Sequence, residues 1–320
     1  MLVTHGAARA GLPVAVTIGN FDGVHKGHQA MLGRVIGEAR QRGLQSCTLT
    51  FEPHPREFFE RLRRNSSQAA PGPAPTRLSS LREKLELIRE SGIERTHLER
   101  FSGHFAALSP QEFAERVLGN VLRARWVLVG EDFRFGARRA GDVEALRGFG
   151  ARFGFELAAM PPVLHEGLRV SSGAIRQALA EGRLADSEVL LGRPYSISGR
   201  VVHGDKLGRA LGFSTANVQM KHNRPPLTGV FAVRLHGAGP QPLPGVASLG
   251  VRPTVKSRGC AVLEVHLFDF SGNLYGRHVR VDFLQKLREE EKYPDLETLR
   301  RQIARDCDAA RAYHRERRPA

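Results

Sequence analysis

The pattern of apolar residues changes character part-way along the chain, and that change limits the possible folds more than any single motif. In the first half, short apolar runs alternate with stretches of helical periodicity. Val14–Ile18 reads as a buried strand, Gly27–Arg42 as a helix and Leu44–Phe51 as a second strand. Helical patterns follow at Ser80–Glu90 and Pro110–Leu122, then a strand at Trp126–Gly130, a helix at Val143–Phe153, a strand at Phe155–Met160 and a helix at Gly173–Glu181. Such alternation requires parallel strands joined by crossovers, so it predicts a doubly wound α/β domain. Afterwards strand signals dominate: Tyr195–His203, Val230–His236, Val246–Leu249, Ala261–Phe270 and His278–Leu284, separated by glycine and proline. That is the pattern of an antiparallel barrel or sandwich. One helix closes the chain, from Asp295 to near Tyr313, with Leu296, Leu299, Ile303 and Ala310 towards one face. The switch falls at residues 183–190, which gives expected domains at 1–186 and 187–320.

Composition narrows the class. The chain has 320 residues, 41% hydrophobic and 25% charged, enough for two cores and unlike a disordered chain. No stretch has the make-up of a signal peptide, and no run approaches the roughly 18 apolar residues of a membrane helix. Cys47, Cys260 and Cys307 form no CxxC pair, which argues against a structural zinc site or a disulfide framework. A reducing cytoplasm is the expected location. The net charge of +15 raises the possibility of a nucleic-acid binder. The arginines are dispersed, however, with one modest cluster at Arg311, Arg315, Arg317 and Arg318. A dispersed excess suits polyphosphate substrates equally well.

The densest motif of the first half is Gly19-Asn20-Phe21-Asp22-Gly23-Val24-His25-Lys26-Gly27-His28, after the first strand and at the start of the first helix. A strand end and a helix start together make an anion site, because free N–H groups and the helix dipole face the ligand. Three glycines allow close backbone approach. His25 and His28, three apart, share one side of the first helical turn. Both can donate to phosphate oxygens that gain charge in a transition state. A zinc site would need further ligands, and none stands at suitable spacing.

This stretch resembles the HxGH signature of the nucleotidyltransferase superfamily, in the form found in bacterial bifunctional riboflavin kinase/FAD synthetases. Three further segments match in order: Thr50–Pro55, Val129–Gly136 with Arg139 and Gly141-Asp142, and Val170–Arg176. The resemblance implies that Gly19, Asn20, Phe21, His25 and His28 bind ATP, with both histidines catalytic. It implies that Ser171, Ser172 and Arg176 hold the leaving pyrophosphate and that Asp132, Phe133 and Phe135 line the FMN side. The family's third hydroxyl residue after the two serines is here Gly173.

The second half carries its own motif, Gly199–Arg209 followed by Leu211–Asn217. Gly204, Lys206 and Gly208 suit a loop whose backbone wraps polyphosphate. Thr215 and Asn217 can hold Mg²⁺ and a terminal phosphate, since magnesium prefers oxygen ligands. In Leu263-Glu264-Val265-His266-Leu267, alternation sets Glu264 and His266 opposite the apolar residues. Glu264 is then the candidate base for a primary hydroxyl. From Gly192 to Asp306 the segments resemble the riboflavin kinase module. That resemblance implies a six-stranded barrel-type domain, Thr215 and Asn217 on Mg-ATP, Glu264 as general base, and Arg288 and Glu290 covering the flavin. Ser214 stands where the family has proline and Ser248 where it has asparagine, which points to weaker kinase activity. The expected protein is therefore a bifunctional transferase using riboflavin, FMN and ATP, with no membrane or nucleic-acid partner. The alternative is an FMN adenylyltransferase whose second domain only binds flavin.

Overall fold

The computed structural model describes residues 1–65, 76–203, 213–220, 224–251 and 261–317. The Pro/Gly-rich stretch 66–75, the kinase-loop residues Gly204, Lys206 and Gly208, and Arg252-Pro253-Thr254 lie outside them. The chain forms two compact units, Met1–Pro75 with Leu81–Ser171, and Thr76–Ser80 with Ser172–Ala320.

The first unit is built on six parallel strands: β1 (Leu2–His5), β2 (Val14–Ile18), β3 (Gln45–Glu52), β4 (Arg95–Arg100), β5 (Ala124–Gly130) and β6 (Glu156–Met160). Their order is β1-β4-β3-β2-β5-β6. Every residue of β2 is buried, as a strand covered on both faces requires. From β2 the chain winds first to β3 and later returns to β5 on the other side. The carboxyl end of β2 is thus the switch point of the sheet, where open α/β sheets form their ligand crevice. Helices α1 (Lys26–Arg42), α2 (Pro55–Asn65), α3 (Leu81–Glu90), α4 (Gly103–Ala106), α5 (Pro110–Glu112) and α6 (Val143–Phe153) provide the cover. The helix expected over Pro110–Leu122 is α5 continued by a π-helix, Phe113–Val121, introduced by a Ser109/Glu112 capping box. Val14, Val16, Cys47, Leu49, Val127 and Val129 pack on one face of the sheet. Ala15, Leu32, Val35, Ile88 and Leu128 pack on the other. A short hairpin, β7 (Leu164–His165) with β8 (Leu168–Arg169), ends the unit.

Two strands of this six-stranded sheet were not visible in the periodicity. One is β1 at the sheet edge. The other is β4, where Arg95, Thr96 and His97 are buried despite their polarity. The His97 ring meets Thr4 Oγ1 at 3.1 Å and Glu99 Oε2 at 3.3 Å. Thr48 and Thr96 hydroxyls pair at 2.9 Å, so most of this buried polarity is satisfied.

The second unit holds α7 (Ser172–Ala180), α8 (Leu184–Leu191) and a closed six-stranded antiparallel barrel. Its strands are β9 (Tyr195–Val202), β10 (Thr215–Met220), β11 (Gly229–His236), β12 (Leu243–Val251), β13 (Ala261–Leu267) and β14 (His278–Arg288), in the order β10-β13-β12-β11-β14-β9. Phe231, Val233, Leu263, Val265, Val281 and Phe283 point inwards and form its core. Helix α9 (Leu296–Glu316) covers β11 and β12, burying Val230, Ala232 and Val246 against Cys307 and Ala310. Asp295 caps it by accepting from the Thr298 N–H at 2.7 Å. Residues 186 and 187 lie inside α8, which packs on α7 and β14.

Candidate functional site

In the first unit the sequence motif becomes a tight loop between β2 and α1. Its backbone is unusual: Phe21 has φ 47° and Val24 φ 40°. A β-branched residue in this region is a true outlier, and such strain persists where surrounding structure fixes it. The turn delivers His25 to the N-cap of α1, where its side chain accepts from the His28 N–H at 3.3 Å. The two imidazoles stack at 3.7 Å with planes 17° apart. A Cβ on Gly27 would lie 3.2 Å from the His25 ring, a tight contact that would press on the stacked pair. Because His25 Nδ1 is an acceptor, the neutral ring carries its proton on Nε2. His28 is held well below the usual histidine range, first by burial, then by His25 and by the Lys84 ammonium. It is therefore neutral at neutral pH. Among the described residues, buried His28 Nδ1 and Asn20 Oδ1 have no hydrogen-bond partner. Two orphaned polar atoms in one loop are open to bonding by a ligand or an ordered water.

A cavity of about 490 Å³ opens over this loop. Gly19, Phe21, His25 and His28 form one wall, Asp132, Phe133 and Ser171 others. Arg169 donates to Asp132 at 2.7 Å across it. The structure therefore brings together most of the residues expected for nucleotide and FMN. Phe135 differs from its neighbours. It is 6% exposed, stacks on Phe133 at 5.5 Å and touches Phe113, so it belongs to the core behind the cavity. Ser172 and Arg176 lie on α7 in the second unit, where Arg176 donates from Nε to the Thr76 carbonyl. The sequence reading missed Lys84, because a lone lysine on an amphipathic helix ordinarily faces water.

In the second unit strand register builds the site. Asn217 pairs with Glu264 across β10 and β13, and Glu264 with Ser248 across β13 and β12. Thr215 pairs with His266 on the same ladder. Directly paired residues share a face, so these side chains stand on the outer wall of the barrel, opposite Leu263 and Val265. The His266 ring donates from Nδ1 to the Ser214 carbonyl at 2.9 Å. The Ser248 hydroxyl donates to Glu290 Oε1 at 2.9 Å, bringing that carboxylate beside the row. Glu290 also occupies the space a side chain at 250 would need, so Gly250 is what admits it. Arg288 is engaged elsewhere. Its Nε and a terminal nitrogen donate to the two oxygens of Asp306 at 2.8 and 2.7 Å, which fastens α9 to β14. A second cavity, about 390 Å³, is lined by Thr215, Ala216, Phe270, Asn273 and Tyr275. Oxygen donors on Thr215 and Asn217 beside a carboxylate are a set that suits Mg²⁺. Among the described residues no three His, Cys, Asp or Glu cluster as a metal site. No described helix is long and apolar enough to cross a membrane.

Comparison with known proteins accounts for both units. The FAD synthetase family model matches residues 9–174, and the riboflavin kinase model residues 191–314. The bifunctional riboflavin kinase/FMN adenylyltransferase of Escherichia coli K12 is 46% identical over 305 residues, 95% of this chain and 94% of that protein. The protein of the same description from Pseudomonas fluorescens is 48% identical over 296 residues, covering 92% and 91%. A crystal structure described as a macrolide-efflux protein from Streptococcus pneumoniae superposes with a TM-score of 0.80 at 28% identity, over 97% of this chain and 99% of that one. The two family matches, in this order and over nearly the whole chain, place it in the bifunctional riboflavin kinase/FMN adenylyltransferase family.

Proposed function

We infer that the chain phosphorylates riboflavin to FMN and then adenylylates FMN to FAD, using ATP in both steps. The observation that carries this reading is the presence of both family regions in one chain, each with its own constellation of polar residues. The limits of those regions, 174 and 191, bracket the expected division at residue 186, with adenylylation assigned to 1–186 and phosphorylation to 187–320, although the compact units divide earlier, at Ser171 and Ser172.

In adenylylation a phosphate oxygen of FMN attacks the α-phosphorus of ATP, and the bond to the departing pyrophosphate breaks. The β2–α1 loop binds the triphosphate through its backbone at the helix start, with Gly19, Asn20 and Phe21 contributing. His25, protonated on Nε2, and His28 donate to phosphoryl oxygens as their charge grows. Asp132 and Phe133 position the flavin nucleotide. Ser171, Ser172 and Arg176 receive pyrophosphate, arginine being the stronger phosphate ligand.

In phosphorylation the primary hydroxyl of riboflavin attacks the γ-phosphorus, ADP leaves, and Glu264 takes the hydroxyl proton. Thr215 and Asn217 would hold Mg²⁺, which supplies charge neutralisation between the phosphates when bound. Gly204, Lys206 and Gly208 are assigned to the ATP loop by sequence. Glu290 and the segment around Arg288 close over the flavin, Arg288 acting through its hold on α9.

A cytoplasmic location follows from the need for ATP, and buried free thiols at Cys47 and Cys307 fit it. Nucleic-acid binding is not part of the proposal, because arginines such as Arg42, Arg183, Arg280 and Arg288 are individually paired with carboxylates. Incubation with riboflavin, ATP and Mg²⁺, with flavins separated over time, tests the reading. FMN should appear first and FAD later. FAD formed only from added FMN would reduce the second domain to a flavin-binding module.

A further inference from the structure

Lys84 is a cation that the two reactions, as described, do not use. It lies on α3, is 3% exposed, and shares the inward face of that helix with Ile88. Burying an ammonium is costly unless it is hydrogen-bonded and paired, so its partners are fixed in place with it. Lys84 Nζ donates to Thr50 Oγ1 at 3.3 Å. The Thr50 hydroxyl in turn donates to the Asn20 carbonyl at 3.3 Å. Thr50 therefore relays between α3 and the first residues of the loop that ends in His25 and His28. A hydroxyl that accepts from an ammonium is polarised to donate more strongly, so the two bonds reinforce each other.

We propose that Lys84 is a positioning residue for FMN adenylylation: through Thr50 it fixes the Asn20 carbonyl, and so the loop that carries His25 and His28. The proposal rests on the assignment of adenylylation to the His25–His28 loop.

The test uses the full-length chain and four variants, Lys84→Met, Lys84→Arg, Thr50→Val and His28→Gln. Two quantities are read: kcat and KM for conversion of FMN to FAD, and turnover of riboflavin to FMN. Lys84→Met should lower adenylylation by roughly tenfold to a hundredfold, the scale of a small misplacement, and spare phosphorylation. The loss should fall on kcat more than on KM for FMN. Thr50→Val should lower adenylylation likewise, because it breaks the same relay. Lys84→Arg should restore most of the adenylylation. Parent turnover in Lys84→Met overturns the proposal, as does an equal loss of both activities. If Lys84→Met does not fold, parent adenylylation in Thr50→Val overturns it. Retention of adenylylation by His28→Gln would instead remove the site assignment, and the role of Lys84 with it.

Discussion

The rings of His25 and His28 stack at 3.7 Å, and the backbone N–H of His28 donates to Nδ1 of His25. This geometry requires His25 to be unprotonated at Nδ1 and places two imidazoles where only one positive charge, at most, is tolerable. His28→Ala should therefore lower FMN adenylylation by about a hundredfold to a thousandfold while riboflavin phosphorylation continues. Separate assays with FMN and riboflavin as sole acceptors decide it.

The same pair sets a pH dependence. The folded-state affinity of His28 for protons is depressed below its unfolded value of about 6.5. The unfolded chain then binds more protons, so stability is full above pH 6.5 and declines as pH falls towards the folded pKa. The slope from one group is at most about 1.4 kcal/mol per pH unit. Denaturant unfolding at pH 7.5 and 5.5 should show a smaller difference for His28→Gln than for the parent.

On the barrel, Glu264→Gln should cut riboflavin phosphorylation by about a hundredfold to ten-thousandfold. FMN adenylylation should persist. Isolated loss of phosphorylation, with unchanged unfolding, separates a base from a structural residue. Unfolding of the barrel with normal turnover of the folded fraction would point the other way.

Phe133 and Phe135 make a contrasting pair. Phe133 faces the cavity, and Phe135 lies in the core. Phe133→Ala should raise KM for FMN roughly tenfold or more with little change in stability, given the area such a side chain covers. Phe135→Ala should instead cost about 3–5 kcal/mol of stability. Steady-state kinetics and chemical denaturation distinguish the two.

Asp306→Asn should loosen α9. The Arg288–Asp306 pair is bidentate, with side chains 20% and 8% exposed. Breaking it should cost about 1–3 kcal/mol, less than for a fully buried pair because the guanidinium keeps contact with water. Hydrogen exchange in α9 should quicken before that of the barrel strands.

Much of this architecture was legible in the sequence wherever burial and periodicity coincide. Val14–Ile18 is a strand with every residue buried, and its bounds match the reading. Helix Val143–Phe153 matches equally, with Asp142 capping it and Gly154 ending it in a left-handed conformation. What escaped did so for physical reasons. In β4 and β10 buried or half-buried positions are polar, and in β4 Thr96 and His97 find partners on neighbouring strands that sequence spacing does not reveal. Lys84 and Thr50 lie 34 residues apart, and only the fold makes them a pair. The Phe133/Phe135 alternation suggested two equivalent aromatics. The isolated bridge between Phe135 and Gly141 turns one of them inward.

Closure of the barrel has a further consequence for catalysis. Strand β10 is short, and only Ala216, Val218 and Met220 hold its register on the core side. Its two neighbours, β9 and β13, fix it from both sides. A slip of one residue would rotate Thr215 and Asn217 into the core and Ala216 and Val218 outwards. In an open sheet such a strand could fray or shift and return at small expense. In a closed ring every neighbour would have to move with it, so a six-residue strand inherits the precision of the other five.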